Sequence, residues 1–228
     1  LVWSGAPEQI GTTVKTIADR EGLRLVIAPP TVEIDTDTKG IYRRANASLV
    51  LAAARLLWNG PAEALERAFG EAAGRASMPG RLDLRTGSPS VLFDVAHNPQ
   101  AMQGLVARLR ELPDRPPGVI GFLCDKPYER MARMLRGRLS PIVTTTPDMP
   151  ERKLDAEDLG RVFASLGCNT TSRPSIPDAV ELGRSLASDL LVVAGSFYVV
   201  GSAMLECWRR GWLPPPTGDE AQALESEH

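Results

Sequence analysis

The chain has 228 residues, enough to bury a substantial core and to form one large domain or one domain plus part of another. Its 26 basic and 28 acidic residues leave a net charge of -2, spread along the whole length without the basic stripe that neutralises a nucleic-acid backbone, so nucleic acid is not an expected partner. The longest apolar runs, 190–194 and 49–54, fall far short of the roughly 20 residues that cross a bilayer, no signal peptide opens the chain, and no membrane partner is expected.

Three widely spaced cysteines in apolar contexts, Cys124, Cys168 and Cys207, suit buried thiols and a cytoplasmic location. With only His97 and His228 as histidines, a zinc site has few candidate ligands, and no metal site is expected within the chain. The first residue is Leu1, and Leu1-Val2-Trp3-Ser4 reads as a strand already under way; the true start is expected upstream.

In chain order, Ile10, Val14, Ile17 and Ala18 recur at helical spacing and predict a helix over 8–21, followed by a short apolar strand over 23–28 that Pro29-Pro30 ends. A polar loop over 31–40 leads to a helix over 45–58, whose apolar face of Leu49, Val50, Ala53, Leu56 and Leu57 stops at Asn59-Gly60-Pro61. A further helix over 61–76 starts on a proline and ends before Met78-Pro79-Gly80, where a domain boundary is placed near residue 78.

Beyond it the pattern alternates regularly. Strands are predicted over 91–95, 119–124, 142–145, 169–172 and 190–194, and helices over 99–112, 128–139, 155–166, 176–187 and 197–210. Short, apolar, β-branched strands between helices predict an α/β fold, a Rossmann-like, mostly parallel sheet with helices on both faces. The expected organisation is a remnant of one α/β domain over 1–78, a Rossmann-like domain over 79–213 and a disordered tail over 214–228. Such sheets bind ligands at the carboxyl ends of their strands, here just after Val95, Cys124, Thr145 and Ala194.

Four segments carry a family resemblance. Pro79-Gly80-Arg81-Leu82 precedes a strand that runs into Asp94-Val95-Ala96-His97-Asn98-Pro99; Arg43 to Leu49 holds Asn46 at the head of a helix; Gly121 to Lys126 ends in Asp-Lys; and Ala194 to Gly201 reads Ala-Gly-Ser-Phe-Tyr-Val-Val-Gly. In this order they resemble the C-terminal portion of the folylpolyglutamate synthase/dihydrofolate synthase family, within the Mur ligase superfamily. The resemblance implies an ATP-dependent ligase that adds L-glutamate to dihydropteroate or tetrahydrofolate through an acyl phosphate, acting as a monomer, with residues 1–78 closing the family's ATP-binding domain.

Site residues follow from the resemblance, each beside a plainer alternative. Asn46 is implied to meet adenine, its carboxamide matching one edge of the base, or else to cap a helix. Arg81 is implied to grip ATP phosphates, or to form a surface ion pair with Asp83. Asp94 is implied to hold the ribose, or to shape the turn before Asn98-Pro99. His97 is implied to position nucleotide and substrate at the catalytic centre, or to be structural. Lys126 and Ser196 are implied to receive the incoming glutamate, although Pro127 departs from the family pattern, and Asp125 is expected to steady Lys126.

No phosphate loop of the form G-x-x-x-x-G-K-[ST] occurs in the 228 residues, and the family's magnesium ligands are expected upstream, so the chain by itself is expected to be inert and to bind ATP weakly. Two other readings remain open, a different Mur-superfamily ligase such as a muramyl-peptide synthetase, and a non-catalytic Rossmann-like binding module.

Overall fold

The computed structural model describes residues 2–3, 10–28, 41–75 and 79–214, with the side chains of 41–45 and 73–75 left aside. The backbone divides into two compact units, Leu1–Ser77 and Met78–His228. The expected loop over 31–40, the expected break at Met78 and the expected tail beyond Pro214 lie outside the described residues.

In the first unit, strand β1 (Val2–Trp3) pairs in parallel with β2 (Val26–Ile27), and helix α1 (Gly11–Arg20) lies between them in sequence. Parallel neighbours need such a crossover. Helices α2 (Ile41–Leu57) and α3 (Ala62–Arg75) follow and pack on each other, with an Arg55–Glu66 ion pair between them. Among its described residues the buried apolar ones are Ala18, Ala28 and Leu51.

The second unit is a six-stranded sheet in the order β3-β4-β8-β5-β6-β7, from β3 (Asp83–Arg85), β4 (Ser90–Asp94), β5 (Gly118–Ile120), β6 (Ile142–Thr144), β7 (Thr170–Ser172) and β8 (Leu190–Ala194). Every pairing is parallel except that of β3 with β4. The connecting helices are α4 (Pro99–Arg110), α5 (Tyr128–Leu135), α6 (Ala156–Ser165) and α7 (Ile176–Leu186), and α8 (Phe197–Arg209) follows the last strand. The mostly parallel α/β fold read from the sequence is the fold observed.

Strand alternation builds two cores from one sheet, because successive side chains leave a strand on opposite faces. Leu92, Ile120, Ile142, Val192 and Ala194 pack with Met102, Leu105, Met131, Leu135, Leu159 and Phe163 of α4, α5 and α6. Val91, Phe93, Val119, Val143, Leu191 and Val193 pack with Ile176, Val180, Val199, Val200, Ala203 and Cys207 of α7 and α8. The chain steps outward from β4 to β7 under helices of the first group, then returns through α7 to insert β8 between β4 and β5. A right-handed crossover that reverses direction must change face, which places α7 opposite α4–α6.

Three departures from the sequence reading have local causes. Strand β3 had no counterpart in the sequence reading; its Asp83-Leu84-Arg85 pairs antiparallel with Phe93-Leu92-Val91 as the sheet's edge. β5 stops at Ile120 rather than Cys124, and Leu123 and Cys124 pair instead with Lys153 and Arg152 of the segment after β6. α5 stops at Leu135 rather than 139, because Arg136 turns extended and Gly137 takes φ +70°.

Candidate functional site

β4 and β8 are neighbours, yet β4 feeds α4 on one face of the sheet and β8 feeds α8 on the other. Where neighbouring strands send their chains to opposite faces a crevice opens at their carboxyl ends, and open α/β sheets place ligands there. Asp94 is in register with Ala194, and Ala194 with Ile120, so the segments after β4, β8 and β5 leave the sheet side by side. Two backbone bonds tie this edge together, from Gly195 N–H to the Asp94 carbonyl at 3.3 Å and from Gly121 N–H to the Ala194 carbonyl at 3.2 Å. Gly195, at φ +121°, lies so close to its neighbour that a Cβ would stand 2.3 Å from the Gly121 carbonyl oxygen.

Asp94 is only 5 % exposed. Its Oδ1 accepts from Ala96 N–H at 2.8 Å and its Oδ2 from Leu82 N–H at 2.9 Å. The carboxylate therefore joins the end of β4 to the segment carrying Arg81, a tie strengthened by Val95 N–H donating to the Gly80 carbonyl at 2.7 Å. Gly80 N–H donates in turn to Asp83, whose carboxylate also pairs with Arg85 at 2.8 Å. Leu82, fixed between these anchors, adopts φ +47°, a left-handed conformation that costs a branched residue of order 1 kcal/mol or more. The shared turn-shaping role weighed for Asp94 is thus present in the structure, and both its oxygens bond to backbone.

His97 follows on the turn after β4. Its Nδ1 lies 3.0 Å from the Val95 carbonyl oxygen, which can only accept, so Nδ1 is the donor there and Nε2 is the nitrogen left for a ligand. The next residue, Asn98, caps α4 through its side chain, which accepts from Ala101 N–H at 2.8 Å.

Ser196 opens α8 in the same manner, its hydroxyl oxygen accepting from Val199 N–H at 3.1 Å. At 1 % exposure it is a buried helix cap rather than a group presented at the surface. Its neighbour Phe197 is 55 % exposed. The Phe197 ring meets the His97 ring at a centroid distance of 5.4 Å, tilted by 40°, and the Arg81 guanidinium carbon stands over the same ring at 5.4 Å. Arg81 and His97, 16 positions apart in sequence, are thereby brought onto one aromatic surface. Phe197 had no role in the sequence reading; the signal available was an aromatic residue directly after a strand end, at the first position of a helix.

After β5, Lys126 lies 3.4 Å from Asp125. Asp125 makes its stronger bond to Arg152, on the segment after β6. That bond, then the charges of Arg152 and Lys126, hold the Asp125 carboxyl below the usual carboxylate range despite some desolvation, and Asp125 pushes the Arg152 guanidinium up in return. The two segments also pair by an antiparallel bridge between Leu123 and Lys153 and by Cys124 N–H donating to the Arg152 carbonyl at 2.9 Å. Asp125 thus steadies two cations, and Arg152 was missed because nothing in its spacing links it to Lys126. The expected positions after Thr145 serve packing: Thr145 donates to the Pro174 carbonyl, and Thr146 accepts from Ala156 N–H at the start of α6.

Asn46 belongs to the first unit, exposed and five residues into α2. Its helix begins at Ile41, so the helix-cap alternative falls: a residue beyond the first turn has no orphan N–H to cap.

Among the described residues no group of three or more His, Cys, Asp or Glu could hold a metal ion. No described helix is long and apolar enough to cross a membrane.

A family model described as Mur ligase, glutamate ligase domain, matches residues 80–197. The chain belongs to this family. It is 34 % identical over 163 residues to the dihydrofolate synthase/folylpolyglutamate synthase of Escherichia coli strain K12, covering 70 % of this chain and 37 % of that protein. To the protein of the same name from Bacillus subtilis strain 168 it is 29 % identical over 173 residues, covering 74 % of this chain and 40 % of that one. The structure of E. coli FolC in complex with ADP, without folate substrate, superposes with a TM-score of 0.71 at 25 % identity, over 88 % of this chain and 52 % of that chain. The chain therefore spans well under half the length of these curated relatives and about half of the solved chain.

Proposed function

We propose that this chain is the C-terminal part of an ATP-dependent ligase that joins L-glutamate to a folate-type acid, dihydropteroate or tetrahydrofolate, by way of an acyl phosphate. The observation that carries the reading is the edge of the sheet: Arg81 and His97 share the Phe197 ring beside the β4–β8 crevice, and Lys126 and Arg152 stand on the adjoining β5 and β6 segments, in a member of the glutamate ligase domain family.

In this reading ATP phosphorylates the carboxylate of the acceptor, the glutamate amine attacks the acyl carbon, and phosphate leaves as the amide forms. The chain's residues do this work by position and charge rather than by a protein nucleophile. Arg81 meets phosphate oxygens with its planar fork. Lys126 neutralises a glutamate carboxylate. His97 presents Nε2 at the crevice, to orient the amine or take its proton. Asn46 is proposed to bond adenine from the first unit, which closes the ATP-binding domain. Asp94 fixes the Arg81 segment to β4 and Ser196 caps α8, and beyond these backbone bonds the carboxylate keeps lone pairs and the hydroxyl its O–H, with which they are proposed to meet the ribose and the glutamate. The magnesium that the resemblance implies is proposed to be held by residues upstream of this chain.

The test is to incubate the intact gene product with ATP, L-glutamate and one acceptor at a time: dihydropteroate, tetrahydrofolate or a UDP-muramyl acid. Glutamate-dependent release of ADP and phosphate with either pterin acid, matched by amide product, is expected. Turnover with the muramyl acceptor alone would move the protein to another branch of the superfamily, and turnover with none would overturn the ligase reading.

A further inference from the structure

We infer, resting on the ligase reading, that Arg152 receives the side-chain carboxylate of the incoming amino acid and so makes the site select glutamate over its neutral amide. Asp125 sits between two cations: its Oδ2 lies 3.4 Å from Lys126 Nζ and 2.5 Å from Arg152 Nη2. Two positive charges share one carboxylate oxygen, so the triad keeps one positive charge and its cations stand a few ångströms apart. Lys153, next in sequence, is closed on Asp155 at 3.1 Å. An amino dicarboxylate carries two anionic ends joined by a short stem, and Lys126 and Arg152 offer one receiver to each.

Stability does not account for the arrangement, because the three side chains are between 30 and 43 % exposed and such pairs add little. Yet the backbone of Arg152 is held on both sides. Its N–H donates to the Met149 carbonyl at 3.0 Å, its carbonyl accepts from Cys124 N–H at 2.9 Å, and Leu123 bridges to Lys153. Among the described residues the guanidinium makes one bond, from Nη2 to Asp125, so the donors of Nε and Nη1 have no protein acceptor there. A guanidinium fixed in advance and still able to donate matches a carboxylate with two parallel bonds. Arg152 also faces α8: after the Asp125 bond, the charge of Tyr198 helps to raise it, and Tyr198 follows the helix cap Ser196 by two positions. Lys126, Arg152 and the start of α8 therefore border the same stretch of the sheet edge, the one proposed above to receive glutamate. L-glutamine has the same stem, but its side-chain amide turns N–H donors toward the donors of Arg152, and that opposition supplies the selectivity.

Two measurements test it. In the intact gene product, Arg152→Gln is expected to raise KM for L-glutamate about tenfold and to shrink the preference for L-glutamate over L-glutamine, as a ratio of kcat/KM values, by about the same factor. KM for ATP and for the pterin acid should stay within about twofold, which a collapsed edge would not allow. An unchanged preference, or equal losses for both amino acids, overturns the inference and leaves the ligase reading standing. The second readout needs no turnover: in the 228-residue chain the Arg152 Nε–H resonance is expected to move saturably with L-glutamate and to stay in place with L-glutamine. Movement with both, or with neither, overturns the inference, whereas the expected movement in a protein whose intact gene product joins glutamate to no acceptor overturns the ligase reading alone.

Discussion

The Asp94 carboxylate holds the Leu82 N–H at 2.9 Å while its other oxygen holds Ala96, so one buried side chain fixes both the left-handed Leu82 and the turn leading to His97. A carboxamide has one acceptor oxygen and could satisfy only one of these donors. Asp94→Asn is therefore expected to cost about 1–3 kcal/mol, the penalty of a buried donor left without a partner. Urea unfolding would measure the loss, and hydrogen exchange should show either Leu82 or Ala96 losing protection. Unchanged stability with both amides still protected would show that the carboxylate does not hold the segment.

The two glycines of the Ala194 to Gly201 stretch should respond in opposite directions. Gly195 adopts φ +121° with a backbone oxygen 2.3 Å from where a Cβ would stand, and neither can yield without opening the β8–β5 edge. Gly195→Ala is expected to cost about 3 kcal/mol or more. Gly201 lies within α8 with nothing inside 4 Å of a built Cβ. Gly201→Ala should stabilise by about 0.5–1 kcal/mol, since the helix no longer orders a glycine. Denaturant midpoints of the two variants decide the matter, and equal shifts would contradict the geometry.

The contrast shows what could be read from the sequence. The alternation around Val91–Phe93, Val119–Ile120 and Leu191–Val193 was legible because each strand is buried on both faces and must be apolar throughout. β3 was not: it contributes one apolar residue, Leu84, which is exposed, and it forms because the edge of β4 has backbone groups to pair. The strand-end positions Asp94, His97, Lys126 and Ser196 were legible as places but not as partners. Leu82 meets Asp94 and Phe197 meets His97 from other segments, Arg152 reaches Asp125 beside Lys126, and only the strand order, with β8 inserted beside β4, brings Phe197 to His97.

The three cysteines should separate by reactivity. Cys207 is buried between α8 and the sheet, and burial, followed by the charge of Glu206, pushes its thiol up to about 12. Cys124 is exposed at the edge of the sheet. At about pH 8 an alkylating reagent is expected to modify Cys124 rapidly and Cys207 only after denaturation, because the thiolate is the nucleophile. Peptide mass spectrometry against time would read both rates, and comparable labelling of the two in the folded chain would refute the packing described for α8.

Asp125 gives the pH dependence of the cationic edge. Its pKa is lowered from 3.8, first by the hydrogen bond from Arg152 and then by the charges of Arg152 and Lys126. A carboxyl whose folded pKa lies below its unfolded value contributes stability in full above the unfolded value and loses it as pH falls through the folded one. Asp125→Asn should accordingly melt lower than wild type near neutral pH, and the gap should close as pH falls below about 4, with wild type descending to meet the variant. The pair is exposed, so added salt should narrow the gap at neutral pH as well. Melting curves between about pH 3 and about pH 7 test the sign. A gap that widens on acidification would mean that Asp125 is destabilised by its surroundings, and that Arg152 and Lys126 are held in place by something else.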